Sequence, residues 1–219
     1  MAIAKHFVRP ILKLTHKISF LKRCLKNQGV IERCLKNRGV IEGFLRFSDV
    51  NATGGTVDDL EFATLVDLAK EASLSRGPII EIGTLFGYST QALALGKGID
   101  QELLTVDAFS WNPIGIPKWR HEELARKNLV FLIRTQNVRL IVASNEQFYA
   151  DWDGRQPALV FIDACHTYEQ VRIDIDWALK VKARIICGDD ISWEGVKKAV
   201  EESFGTRYKV IGDMWIAEK

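Results

Sequence analysis

The run VFIDACHTYEQV (residues 160–171) places an acid, a thiol, an imidazole and a phenol just after an apolar stretch. Such a set can ligate a metal, pair a nucleophile with a base, or simply be polar residues beyond a strand end. Cys165 as nucleophile with His166 as base is the poorer reading, because neighbours leaving a strand point to opposite sides and Cys is common inside sheets. Asp163 is not alone. Other apolar runs also end in polar residues: Glu81 with Gly83 and Gly87, Asp107, Ser144 with Asn145, and Asp189 with Asp190. Acids at four of five run ends exceed what structure alone needs.

These runs alternate with helical patterns. A helix is expected from a cap at Thr56 to about residue 73, then a strand at 78–83 and a helix from about 88. Strands at 103–109, 138–144, 158–164 and 183–190 follow, with 138–144 and 158–164 read as buried. Helices are expected from near Lys118, briefly before 158, over Tyr168–Lys180 and over about 193–204. The C-terminal RYKVIGDMWIAEK is two apolar runs around Gly-Asp, a hairpin signal. Continuous apolar strands alternating with helices indicate a doubly wound α/β sheet, mostly parallel, with helices on both faces. In such a sheet ligands bind at the carboxyl ends of the strands, near the reversal of strand order.

The first strand-to-helix loop, EIGTLFGYST (81–90), lacks the GxGxxG spacing of dinucleotide enzymes, which disfavours an NAD-dependent oxidoreductase. Its glycines allow close backbone approach, and the helix start, with Ser89 and Thr90 as cap or first-turn residues, favours an anion. Glycine in such a turn also has a purely steric explanation. Asp107, about 24 residues beyond Gly83, is placed to accept hydrogen bonds from ribose hydroxyls. Together the two features point to a nucleoside-bearing ligand.

In this order, EIGTLFGYST, LLTVDAF, ALVFIDACHTYEQV and IICGDDI resemble class I S-adenosylmethionine-dependent methyltransferases. The likeness is to metal-dependent O-methyltransferases of catechol or caffeoyl-CoA type, and to cephalosporin-hydroxylase-like and macrocin-type enzymes. It spans roughly residues 56–219 and implies a Rossmann-like seven-stranded sheet ending in an antiparallel hairpin. It implies that Glu81, Gly83, Thr84, Gly87, Ser89 and Thr90 form the loop holding the methionine part of S-adenosylmethionine. Asp107 would hold the ribose, and Asn145 or Glu146 would lie near the adenine. Asp163, Asp189 and Asp190 match the positions that hold a divalent cation, Mg²⁺ or else Mn²⁺ or Ca²⁺. Three converging carboxylates repel one another unless a cation sits between them. His166 stands where catechol-type enzymes place a catalytic lysine. A neutral imidazole there would take the acceptor's proton, whereas capping, packing or support of a metal ligand are the structural alternatives. The implied acceptor is a hydroxyl of a small molecule or sugar. Trp111, Trp119, Arg120 and His121 either wall an acceptor pocket or pack beneath their own loop; Arg120 suits an anionic acceptor. Tyr168 reads as a pocket or core aromatic.

Outside this region the charge is lopsided. Residues 1–46 carry eleven Lys/Arg against Glu32 and Glu42, a net +9, so the remaining 19 basic and 26 acidic residues sum to −7. Residues 1–47 read as a basic amphipathic helical arm, with Ile3, Phe7, Ile11, Leu14, Ile18, Leu21 and Leu25 on one face. The arm holds the tandem RCLKNQGVIE/RCLKNRGVIE, too short for a solenoid. Residues 48–55 read as a linker, and 56–219 as the methyltransferase domain. The arm suits docking onto the body, homo-oligomerisation or an anionic membrane surface, so a partner- or membrane-binding protein on a non-catalytic scaffold is the contrasting reading. Nucleic acid is disfavoured by the acidic body and by the lack of aromatics among the arm's basic residues. Four cysteines without CxxC spacing, and no secretory pattern at the start, lead to the expectation of free thiols in a cytoplasmic protein, peripheral to a membrane at most.

Overall fold

Short aliphatic runs become the central strands because each has apolar partners on both faces. The computed structural model describes residues 57–218. In chain order these form α1 (Asp59–Ala72), β1 (Ile79–Ile82), α2 (Tyr88–Gly96), β2 (Leu103–Asp107), α3 (Lys118–Thr135), β3 (Val138–Val142) and α4 (Asn145–Ala150). Then come β4 (Leu159–Ile162), α5 (Tyr168–Lys180), β5 (Ile185–Gly188), α6 (Glu194–Phe204), β6 (Tyr208–Ile211) and β7 (Met214–Ala217). The arm at 1–47, its repeat, the linker at 48–55 and the arm-mediated contacts expected above lie outside the described residues.

One seven-stranded sheet has the order β3-β2-β1-β4-β5-β7-β6. The first five strands are parallel, while β7 runs antiparallel to β5 and β6 antiparallel to β7. This is the expected doubly wound sheet with its terminal hairpin. Alternation along each strand splits the core in two. Ile79, Leu103, Leu159 and Phe161 pack with Phe62, Leu65, Leu93 and Leu129 on the face of α1, α2 and α3. Ile80, Ile82, Leu104, Val160 and Ile162 pack with Phe148, Ile175, Trp177, Val200 and Trp215 on the face of α4, α5 and α6. The strand order reverses between β1 and β4, so the crevice there is the place for a ligand.

Two local expectations change and one narrows. The cap of α1 is Asp58, not Thr56. Its Oδ1 accepts from the Leu60 and Glu61 amides, and the Glu61 side chain accepts from the Asp58 amide, a reciprocal box. Nor is β3 buried: only Val138 is fully covered, because β3 closes the sheet edge and pairs with β2 alone. Of the two readings of Ser89 and Thr90 the first-turn one holds, since the N-cap of α2 is Gly87 without a side-chain bond.

Every residue of α2 is buried, since α1 lies directly against it. Gly96 permits this approach: a Cβ there would stand 2.2 Å from the Val66 carbonyl oxygen and 2.6 Å from Ala69 Cβ. Gly96→Ala is therefore expected to lower stability by about 1–3 kcal/mol, as overpacking does. Gly98→Ala, whose Cβ would meet nothing closer than 3.5 Å, serves as the control; equal urea midpoints for the two variants would refute the account.

Candidate active site

The β1–α2 loop rests on the end of β4. Gly83 (φ 102°) lies so close that a Cβ would sit 1.8 Å from the Asp163 carbonyl oxygen, and Gly87 (φ 86°) gives up the same space to Leu129. Both positions need glycine for conformation as well as room. The loop's shape is set by Asp107, at the end of β2. Its Oδ2 accepts from the amides of Thr84 (3.0 Å) and Leu85 (2.8 Å), and its Oδ1 from the amide of Phe109 (2.6 Å). A carboxylate has about four acceptor positions, so these three amides leave about one of them unused.

Glu81 is wholly buried beneath this loop. Ser89 Oγ donates to Oε1 (2.6 Å) and Thr90 Oγ1 to Oε2 (2.5 Å), while Thr84 Oγ1 meets Thr105 Oγ1. Burial pushes the Glu81 carboxyl up to about 7, against the opposing pull of these hydroxyls. Glu81, Ser89 and Thr90 thus form one buried cluster that braces the loop from behind. His121 and Asn128 on α3 hold it from the side: His121 Nε2 lies 3.0 Å from the Leu85 carbonyl oxygen, and Asn128 Nδ2 donates to that of Phe86. The His121 ring sits between Phe86 and Phe109, and burial lowers its pKa. His121 is therefore a buried support, whereas Trp111 and Trp119 stand 67% and 66% exposed rather than packed beneath their loop. Arg120 pairs with Glu123 on the surface.

At the end of β3, Ser144 caps α4, Glu146 is exposed, and Asn145 Nδ2 donates to Asp174 Oδ1 (2.5 Å). Tyr149 donates to the same oxygen and stacks on Trp177. Burial raises the Asp174 carboxyl to about 6. This anchor on α5 escaped sequence reasoning because a lone acid in a helix reads as a solvated residue.

Across the sheet reversal, Asp163 after β4 and Asp190 after β5 converge with His166. One ligand atom from each of the three lies within 4.8 Å of the others. His166 Nε2 is 2.8 Å from Asp190 Oδ2 and 3.9 Å from Asp163 Oδ1. The two carboxylates, Asp163 first, hold the imidazole up to about 10, so these neighbours favour its charged form over the neutral ring a base requires. Asp189 is adjacent but outside this closest trio. Its Oδ1 is buried without a hydrogen-bond partner, and burial followed by the charge of Asp163 raises its carboxyl to about 8. Asp163 is raised as well, chiefly by burial. Cys165 Sγ faces Thr167 Oγ1, not His166, and Tyr168 donates to Glu202 at the surface.

The loop bearing Asp190 is strained and tied down. Asp190 has φ 60°, a conformation that costs a non-glycine residue free energy and persists only when its surroundings enforce it. Asp213, in the β6–β7 turn, does the enforcing. Its carbonyl oxygen accepts from the Ile191 amide, Oδ1 from the Ser192 amide and Oδ2 from Ser192 Oγ. Glu61 Oε1 in turn accepts from the Asp213 amide (2.7 Å). Neither Asp213 nor Glu61 was visible as part of the site, because each already had a local role as turn residue or capping-box acid.

A glycine-bearing loop at the end of β1, its acidic clip at the end of β2 and a polar cluster at the ends of β4 and β5, on a sheet of this order, match the Rossmann-like fold of class I methyltransferases. A family profile described as a methyltransferase domain matches residues 80–191, just over half of the 219 residues, and the chain belongs to that family. No curated protein matches it in sequence. Among solved structures, the cofactor-bound Rv0187 from MTB is similar at 23% identity and TM-score 0.62, over 82% of this chain and 89% of that one. The O-methyltransferase from Bacillus cereus in complex with SAH is similar at 20% identity and TM-score 0.59, over 83% and 91%. TomG, an O-methyltransferase from Streptomyces achromogenes in complex with SAM, is similar at 18% identity and TM-score 0.58, over 88% and 89%. No helix among the described residues is long and apolar enough to cross a membrane.

The raised carboxyls make a prediction about stability. Glu81, Asp174 and Asp189 titrate near 7, 6 and 8 when folded but near 4 when unfolded. The folded state therefore retains protons that the unfolded state has released, and stability falls as pH rises through that window. His166 adds the same sign, its contribution being complete below about 6.5 and lost as pH rises through about 10. In chelator, the melting temperature should decline from about pH 5.5 to about pH 9. A melting temperature that rises across this range would overturn the assignment of buried, protonated carboxyls.

Proposed function

We propose that the protein transfers the methyl group of S-adenosylmethionine to a hydroxyl of a small molecule or sugar, at a site that takes a divalent cation. The carrying observation is the meeting of Asp163, His166 and Asp190 beside the β1 loop, on opposite sides of the same strand reversal. In this reading Gly83, Thr84 and Gly87, braced by Glu81, Ser89 and Thr90, cradle the methionine part of the cofactor. Asp107 uses its remaining acceptor position on the ribose, and Asn145, steered by Asp174, borders the adenine together with Glu146.

The donor set suits a cation. His166 Nε2 and Asp189 Oδ1 are buried polar atoms without hydrogen-bond partners, and the backbone at Asp190 is held in a strained form that aims its carboxylate at the cluster. Asp163 and Asp190, with Asp189 or His166 beside them, would hold Mg²⁺ or Mn²⁺. When bound, the ion would supply Lewis acidity that lowers the pKa of an acceptor hydroxyl. The chain's own part is positioning: the pinned 190–193 loop and the β4 end fix where the acceptor oxygen sits relative to the cofactor loop, which is most of what methyl transfer needs. The resemblance of the loop sequences and the SAM- and SAH-bound states of similar structures support the cofactor; TomG, involved in tomaymycin synthesis, supports a small-molecule acceptor.

Calorimetry should give S-adenosylmethionine binding that Asp107→Ala weakens about tenfold or more, since the loop loses its clip and the ribose its acceptor. Methyl transfer should disappear in EDTA and in Asp163→Ala. Full S-adenosylmethionine affinity in Asp107→Ala would remove the cofactor assignment; undiminished turnover of Asp163→Ala in EDTA would remove the metal.

A further inference from the structure

We propose that His166 is itself a ligand of the cation through Nε2, in a set with Asp163 and Asp190, and that the site therefore favours a nitrogen-accepting first-row ion such as Mn²⁺ or Co²⁺ over Mg²⁺ or Ca²⁺. The inference rests on the metal-assisted reading above and changes the role of one residue within it. A single imidazole lone pair cannot both bind the ion and accept the acceptor's proton. If Nε2 is a ligand, the base role assigned by position is vacated, and deprotonation falls to the ion's effect on the hydroxyl.

The geometry carries this. Two atoms bound cis to one six-coordinate ion at about 2.1 Å lie roughly 3 Å apart. His166 Nε2 and Asp190 Oδ2 are 2.8 Å apart. That spacing is also a hydrogen-bond length, yet Nε2 is buried and makes no aligned hydrogen bond. The two atoms are close enough to bind one ion side by side. Asp163 Oδ1, 3.9 Å from Nε2, completes the group whose ligand atoms all lie within 4.8 Å of one another.

The imidazole is also held as a ligand must be. Trp193 lays its ring against it, centroids 5.0 Å apart at 38°, and the backbone beneath Trp193 is tied to Asp213 and to the Asp190 carbonyl oxygen. The first turn of α6 presses on the His166 backbone: a Cβ at Gly195 would stand 2.4 Å from its carbonyl oxygen. Asp189, the alternative third ligand, lies outside the trio. Mg²⁺ and Ca²⁺ take oxygen ligands, whereas an imidazole nitrogen shifts preference toward transition ions.

The experiment uses the full-length wild-type protein, stripped with EDTA and loaded with Mn²⁺. Pulsed electron paramagnetic resonance should show coupling to a directly bound nitrogen that changes on ¹⁵N-histidine labelling. By calorimetry, His166→Gln should weaken Mn²⁺ binding about tenfold or more while changing Mg²⁺ binding less than about threefold. Because the spectrum is read on the wild type, a poorly folding variant does not obscure the result. Mn²⁺ bound tightly without nitrogen coupling would overturn the proposal and leave metal-assisted transfer intact. No Mn²⁺ or Mg²⁺ binding at millimolar concentration would remove both.

Discussion

Between the ends of β1 and β4 there is no room for a side chain. The Gly83 backbone lies against the Asp163 carbonyl so closely that a methyl group would overlap it, and much of the site follows from that contact. It brings the β1–α2 loop, proposed to cradle the cofactor, to the strand end that presents Asp163. Both strands are anchored by parallel pairing in register, Ile82 opposite Ile162, so the two loops inherit a fixed separation from the sheet. Methyl transfer between two bound molecules depends on such a separation, because orienting the reactants is the larger part of the catalysis.

Around this contact the fold gathers acidic side chains, some buried and some half-buried. Glu81 is covered by α2 and given hydroxyl donors; Asp107 is given backbone amides; Asp174 receives Asn145 and Tyr149. Glu81 and Asp107 accept at both oxygens, whereas Asp174 is served at Oδ1 alone and its Oδ2 is buried without a partner. Asp163, Asp189 and Asp190 differ. Their surroundings offer one imidazole and otherwise one another, an arrangement that repels itself in the absence of a positive centre. The contrast between provided and unprovided acids separates the scaffold from the reactive end.

Much of this was legible in the chain. Continuous aliphatic runs such as LVFI and IIEI cannot be half-solvated, so they announced buried parallel strands, and Gly-Asp between two apolar runs announced the hairpin. The acids at strand ends stood out because nothing apolar explains them. What stayed hidden depends on the third dimension. Ser89 and Thr90 look like helix caps until Glu81, eight or nine positions earlier, turns out to lie under them. Val138–Val142 is as aliphatic as a core strand, but edge position is a property of the sheet and not of the strand. Whether Asp189 or His166 joins Asp163 and Asp190 is decided by the direction each side chain leaves the backbone. His121 could be read as a pocket wall only until Phe86 and Phe109 closed around it.

The tie from Glu61 to Asp213 spans 152 residues and carries a consequence for how the enzyme comes into being. The loop that holds Asp190 in its strained form is fastened by the hairpin turn, and the hairpin turn is fastened by the first helix of the sheet domain. On a chain made from its N-terminus, β1 to β5 and their helices can assemble while residues 208–217 are still absent, but the bracket around Asp190 cannot. The form of the Asp190 loop described here is therefore reached only once residues 208–217 have paired with β5 and the Asp213 turn has met Glu61 on α1.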